Sequence, residues 1–138
     1  MNNINKISSC KEQLSTACKS VLKLTSEYQK SLASPLKERK TVINEYYSFA
    51  LQLSESISLA DLSASSVSEL ISNADTADDF STKELLGELL DKYVYFRANV
   101  QAFLEATEEA KASENFIDTV KRQADVLVRK TAIIEREL

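Results

Sequence analysis

At 138 residues the chain has room for one domain with a real core and not for two. One glycine and one proline leave little material for the tight turns and bulges of a many-stranded sheet, so the sequence is that of a helical protein. Histidine is absent, which removes the commonest general base and the commonest metal ligand; the net charge is −4, and no basic run carries interleaved aromatics, so no dedicated nucleic-acid reader is expected.

The first element is expected over residues 4–33. Ile7, Cys10, Leu14, Ala17, Val21, Leu24 and Tyr28 recur at steps of three and four, which puts them on one face of an amphipathic helix. Cys10 and Cys18 lie eight residues apart on this helix, roughly 12 Å along its axis, too far to bridge each other. They read as reduced thiols packed as small hydrophobes. Pro35 then disfavours helical geometry at Ser34 but suits the first turn of a new helix capped by Ser34, with Glu38 completing a capping box. Either the chain turns here or one long helix kinks.

A second helix is expected over residues 36–60, through Leu36, Ile43, Tyr46, Ala50, Leu53, Ile57 and Ala60. DLSASSVSELIS weakens the pattern to a short helix at best, and residues 72–81 read as an acidic linker forming the main hairpin. The third helix, 82–112, opens at Ser81 or Thr82. It carries the strongest stripe of the chain, Leu86, Leu89, Tyr93, Phe96, Val100 and Phe103. Gly87 is its one oddity, explained by close helix approach or by simple tolerance near a helix start. Ser113 is a candidate cap for the fourth helix, 114–138, whose stripe runs Ile117, Val120, Ala124, Leu127, Thr131, Ile134 and Leu138. The fold class is therefore all-α, an elongated antiparallel helical bundle or coiled coil of three to four long helices in a single domain.

Phosphate-cradling loops need several glycines at set offsets and are excluded here. Asp78–Asp79 and Glu108–Glu109 are neighbours that point to different sides of a helix, the pattern of a solvated face. No catalytic, cofactor-binding or metal-binding residues are expected, and no enzyme. The expected role is an interaction module, with a homo- or hetero-oligomeric protein partner held through helical stripes. A stripe that reaches Leu138, where a self-contained bundle turns polar, marks Leu127, Ile134 and Leu138 as candidate interface residues. Tyr47 and Tyr95 join them, because they fall off the principal stripes.

Residues 1–60 hold eight Lys/Arg against five Asp/Glu, and 61–92 hold two against eight. The basic part makes Lys19, Lys23, Lys30, Lys37, Arg39 and Lys40 candidate contacts with an acidic membrane surface or acidic partner. With no long apolar run and no signal-like start, the expected location is cytoplasmic, or peripheral on a cytosolic membrane face.

In order along the chain, SVLKLTSEYQKSLASPLKERKTVINEYYSFALQLSES, KELLGELLDKYVYFRANVQAFLEATEEA and VKRQADVLVRKTAIIEREL resemble the BAR domain of sorting nexins. The likeness rests on Glu45-Tyr46-Tyr47 followed by Phe49-Ala50 and a Leu-x-Leu step, and on Asp91-Lys92-Tyr93 before a stripe ending in Ala102-Phe103. It implies that Pro35 kinks one long helix, that the fold is an elongated, dimerising three-helix coiled coil, and that the protein senses or supports membrane curvature. The alternative is a soluble coiled-coil subunit of a multiprotein assembly, such as a tethering or kinetochore complex, with no lipid contact. A third reading is an adaptor that holds a partner's amphipathic helix in a groove.

Overall fold

The structure, a computed structural model, describes residues 2–34, 38–73 and 80–138. Four helices occupy them: α1 (Asn2–Leu32), α2 (Arg39–Asn73), α3 (Phe80–Ala110) and α4 (Phe116–Arg136), with no strand among the described residues. Each helix packs against the next, and α4 closes the ring against α1. The pairs run antiparallel. Tyr28 stacks on Phe49 while Cys10 shares a groove with Ser66 and Leu70. Tyr46 meets Thr107 while Asp61 meets Arg97, and Gln29 meets Asp125 while Lys19 meets Glu135. This is an up-down-up-down bundle built on short connections.

The stripe of α3 enters the core as expected, with Leu86, Leu89, Tyr93, Phe96, Val100 and Phe103 all buried. On α1 the buried seam is Cys10, Leu14, Cys18, Val21, Thr25, Tyr28 and Leu32, so Cys18 and Thr25 take places expected of Ala17 and Leu24. The reason is geometric. A helix flanked by two neighbours buries the residues between them, and Ala17 turns aside into the groove with α2. Thr25 tolerates this burial because its hydroxyl donates to the Val21 carbonyl at 2.6 Å. The same centring on α2 brings in Val42 and Phe49, which the expected stripe passed over.

The second helix does not stop at Ala60 but runs on to Asn73, through the serine-rich segment. No glycine or proline interrupts that segment, and Val67 anchors it in the core. The Ser63 and Ser66 hydroxyls donate back to the carbonyls of Leu59 and Leu62, satisfying themselves inside the helix rather than breaking it. Pro35, Leu36 and Lys37 lie outside the described residues, as does most of the expected acidic linker. The flanking helices nonetheless decide between a turn and a kink. α1 and α2 are separate and lie side by side, tied by the Tyr28–Phe49 stack and by a 2.7 Å hydrogen bond from Ser31 Oγ to the Glu45 carboxylate.

α3 starts two residues earlier than expected and α4 two later. Ser113 is not the cap of α4; its hydroxyl accepts from the Asn115 N–H inside the turn that precedes the helix. Gly87 permits no close approach either, since a Cβ there would meet nothing within 4 Å.

Candidate functional site

Two surface features emerge once the helices are assembled. The first is electrostatic. α1 and α4 together carry ten Lys/Arg against five Asp/Glu, and α2 and α3 carry five against ten. Because the ring closes α4 on α1, the bundle has a basic side of net +5 and an acidic side of net −5. Lys19, Lys23 and Lys30 follow one another on the outer surface of α1, all exposed. Arg122, Arg129 and Arg136 do the same on α4 beside them. Lys19 reaches Glu135 at 3.7 Å, an exposed lysine against a half-buried carboxylate.

Of the other expected basic contacts, Lys40 is exposed at the start of α2 and Lys37 lies outside the described residues. Arg39 has a different task. Its Nη2 donates to the carbonyls of Lys111 at 2.9 Å and Ser113 at 3.3 Å, clamping the α3–α4 turn to the base of α2. Tyr47 belongs to the same clamp: Lys111 Nζ donates to its hydroxyl and sits 4.7 Å from its ring centroid. The hydrogen bonds to Glu108 and Tyr47 hold the Lys111 ammonium above its ordinary pKa. Half of the Tyr47 ring is thus engaged within the chain.

The second feature is a groove of about 560 Å³ between α3 and the last turns of α4. Its apolar floor is Tyr95, Ile133 and Ile134. Glu88 and Asp91 stand along the α3 edge and Glu137 on the other, with Lys92 and Lys130 between them. None of these five charged groups makes an ion pair among the described residues. Tyr95, 61% exposed, was expected at an interface and lies in this groove. Ile133, 48% exposed, was passed over because it sits one step off the stripe of α4; that offset was the only signal in the sequence.

Leu127 and Ile134, read from sequence as interface residues, are 1% and 4% exposed and belong to the chain's own core. Leu138 is half-buried against the same core. The stripe of α4 is therefore covered by α1 and α3, which leaves only its Ile133 flank for a partner.

A second groove of about 570 Å³ lies between α1 and α2, where Ser9, Gln13, Thr16 and Ser56 stand beside the exposed Leu59 and Leu62. The nucleophilic candidates are interior. Burial, with Glu135 adding to it, pushes the Cys18 thiol up to about 12, and burial raises Cys10 as well. Burial also takes the Tyr93 phenol up to about 12, and its hydroxyl donates to the Cys10 carbonyl. At neutral pH all three stay protonated, which suits packing rather than nucleophilic attack. Among the described residues no group of three or more His, Cys, Asp or Glu could hold a metal ion, and no helix is long and apolar enough to cross a membrane.

No family model matches this chain, and neither a curated protein nor a solved structure does.

Proposed function

We propose that the chain is a non-enzymatic helical interaction module that docks its basic α1/α4 side on an anionic membrane surface. The observation that carries this reading is the segregation of charge, net +5 on α1 and α4 against net −5 on α2 and α3. Each Lys or Arg brought near an anionic leaflet contributes about 1 kcal/mol, so a face of this kind gives weak, salt-sensitive attachment while the acidic side stays turned to solution. The likeness to sorting-nexin BAR domains supports a membrane destination. A dimer of kinked long helices is not part of the proposal, because α1 and α2 fold back on each other and the four stripes cover one another within one chain.

The test is co-sedimentation with vesicles of phosphatidylserine and phosphatidylcholine, compared with phosphatidylcholine alone, at low and moderate salt. Binding only to the anionic vesicles, lost on Lys19→Glu, Lys23→Glu, Lys30→Glu triple substitution and weakened by salt, is expected. Equal recovery of the triple variant would remove the α1/α4 side from consideration.

The second reading, a soluble subunit of a protein assembly, draws on the acidic side. Leu51, Leu62 and Val94 stand exposed on the acidic α2 and α3, whose carboxylates an anionic lipid surface would repel and a basic partner would attract. Failure to bind any vesicle together with co-purification in a stoichiometric complex would favour it.

A further inference from the structure

We infer that the α3/α4 groove is a docking site for one amphipathic helix of another protein, with an apolar stripe and a basic flank. The inference stands on surfaces other than those of the membrane reading, so either can fail alone.

Glu88, Lys92 and Tyr95 line the groove from α3, and Leu85 precedes them on the same helix face, at steps of three, four and three. Its first member shows what is missing. Leu85 is 52% exposed although its helical angle turns it toward the α4 side, because α4 ends at Arg136 below it. A helix laid in the groove would cover Tyr95 and Ile133, and one that runs on past the end of α4 would cover Leu85 as well, which is how apolar anchors engage a helical groove. The charges around that line say which helix. Glu88, Asp91 and Glu137 outnumber Lys92 and Lys130, and Glu84 extends the acidic edge of α3 by one further turn. The occupant that matches carries Lys or Arg beside its apolar stripe.

A second copy of the chain does not fit this description. Its basic helices are α1 and α4, and among the described residues the one large exposed apolar side chain on them is Ile133, which already belongs to the groove. A separate partner helix must supply the apolar stripe. The α1/α2 groove has similar volume and exposes Leu59 and Leu62, but among its lining residues Glu12 alone is charged, so it offers a basic flank little.

The probe is a synthetic helical peptide with leucines at i, i+3, i+4 and i+7 and lysine flanks, beside one with glutamate flanks and one of scrambled order. Binding is read by fluorescence anisotropy and mapped by amide chemical shifts on the full chain. The lysine-flanked peptide should bind, shift residues around Leu85, Tyr95 and Ile133, and bind about tenfold more tightly than the glutamate-flanked one. Tyr95→Ser with Ile133→Ser should weaken it by about tenfold or more while the melting temperature stays close to wild type, since both side chains are largely exposed. No binding, shifts centred on another pair of helices, or wild-type affinity in the double variant would each overturn the assignment. So would concentration-dependent dimerisation abolished by the same two substitutions, which would give the groove to a second copy.

Discussion

At one end of the bundle Tyr28, Tyr46, Phe49, Phe103 and Phe116 meet from all four helices, whereas at the other Cys10, Leu14, Val67 and Leu86 come from three. The aromatic end interlocks. Tyr28 stacks on Phe49 at 4.3 Å, Phe103 meets the Phe49 ring edge-on at 5.6 Å, and Phe116 does the same to Tyr46 at 5.3 Å. The far end is mainly aliphatic, with the Cys10 thiol and the Tyr93 phenol that donates to the Cys10 carbonyl, and α4 does not reach it. At 1.5 Å per residue α2 spans about 52 Å and α4 about 32 Å. The Lys19–Glu135 pair marks the level, since residues 2–18 of α1 extend past it against only residues 136–138 of the last segment. A bundle built this way concentrates its stability at the closed end and leaves its uncovered surface, Leu85 and the groove, near the open one.

The largest effect that sharpens this contrast is at Phe103, 1% exposed and held against Phe49. Phe103→Ala should cost about 3–5 kcal/mol in denaturant unfolding, a large part of a small domain's stability. Leu86→Ala at the open end should cost about 2 kcal/mol, the low end of its class, because a three-helix section can close on the space left. Equal costs for the two variants would break the distinction between the ends.

Next come two tyrosines within the closed end. Thr107 donates its hydroxyl proton to the Phe103 carbonyl at 2.7 Å, so at the 2.8 Å contact with Tyr46 it is the phenol that donates. Tyr46→Phe should therefore cost about 1 kcal/mol. The Tyr28 hydroxyl is buried with no hydrogen-bond partner among the described residues, and burial raises its pKa. Tyr28→Phe should raise stability by about 1 kcal/mol, with the Phe49 stack kept. A loss of stability there would reveal a hydrogen bond to the hydroxyl that the static packing does not contain.

The smallest effect belongs to the open end. Nothing lies within 4 Å of a Cβ at Gly87, so Gly87→Ala should add about 0.5–1 kcal/mol and slow amide exchange in the first turns of α3. A destabilised variant would mean that this end is more tightly packed than its open geometry implies.

Much of this was legible in the chain itself. Steps of three and four, one glycine and one proline made four helices and no sheet, and the stripe from Leu86 to Phe103 was recognisable as core because its periodicity is long and unbroken. The helix limits were less legible around Asp61–Asn73, since serine discourages a helix locally and only burial of Val67 and back-bonded hydroxyls overrule it. Of the candidate surface, Tyr95 could be found by its position off the stripe, while Leu127 and Ile134 could not be told from interface residues until α1 and α3 were seen to cover them.

What the sequence alone determined is local: which residues share a helix face, where charges alternate with apolar stripes, and which chemistries lack their residues. Tertiary structure decided everything that depends on neighbours distant in the chain. The basic character of α1 and that of α4 are separate facts along the sequence, and they become one face only because the ring of helices closes first on last. Likewise Leu85 is core by its angle and surface by its surroundings, because an apolar face is buried only where another helix is long enough to cover it.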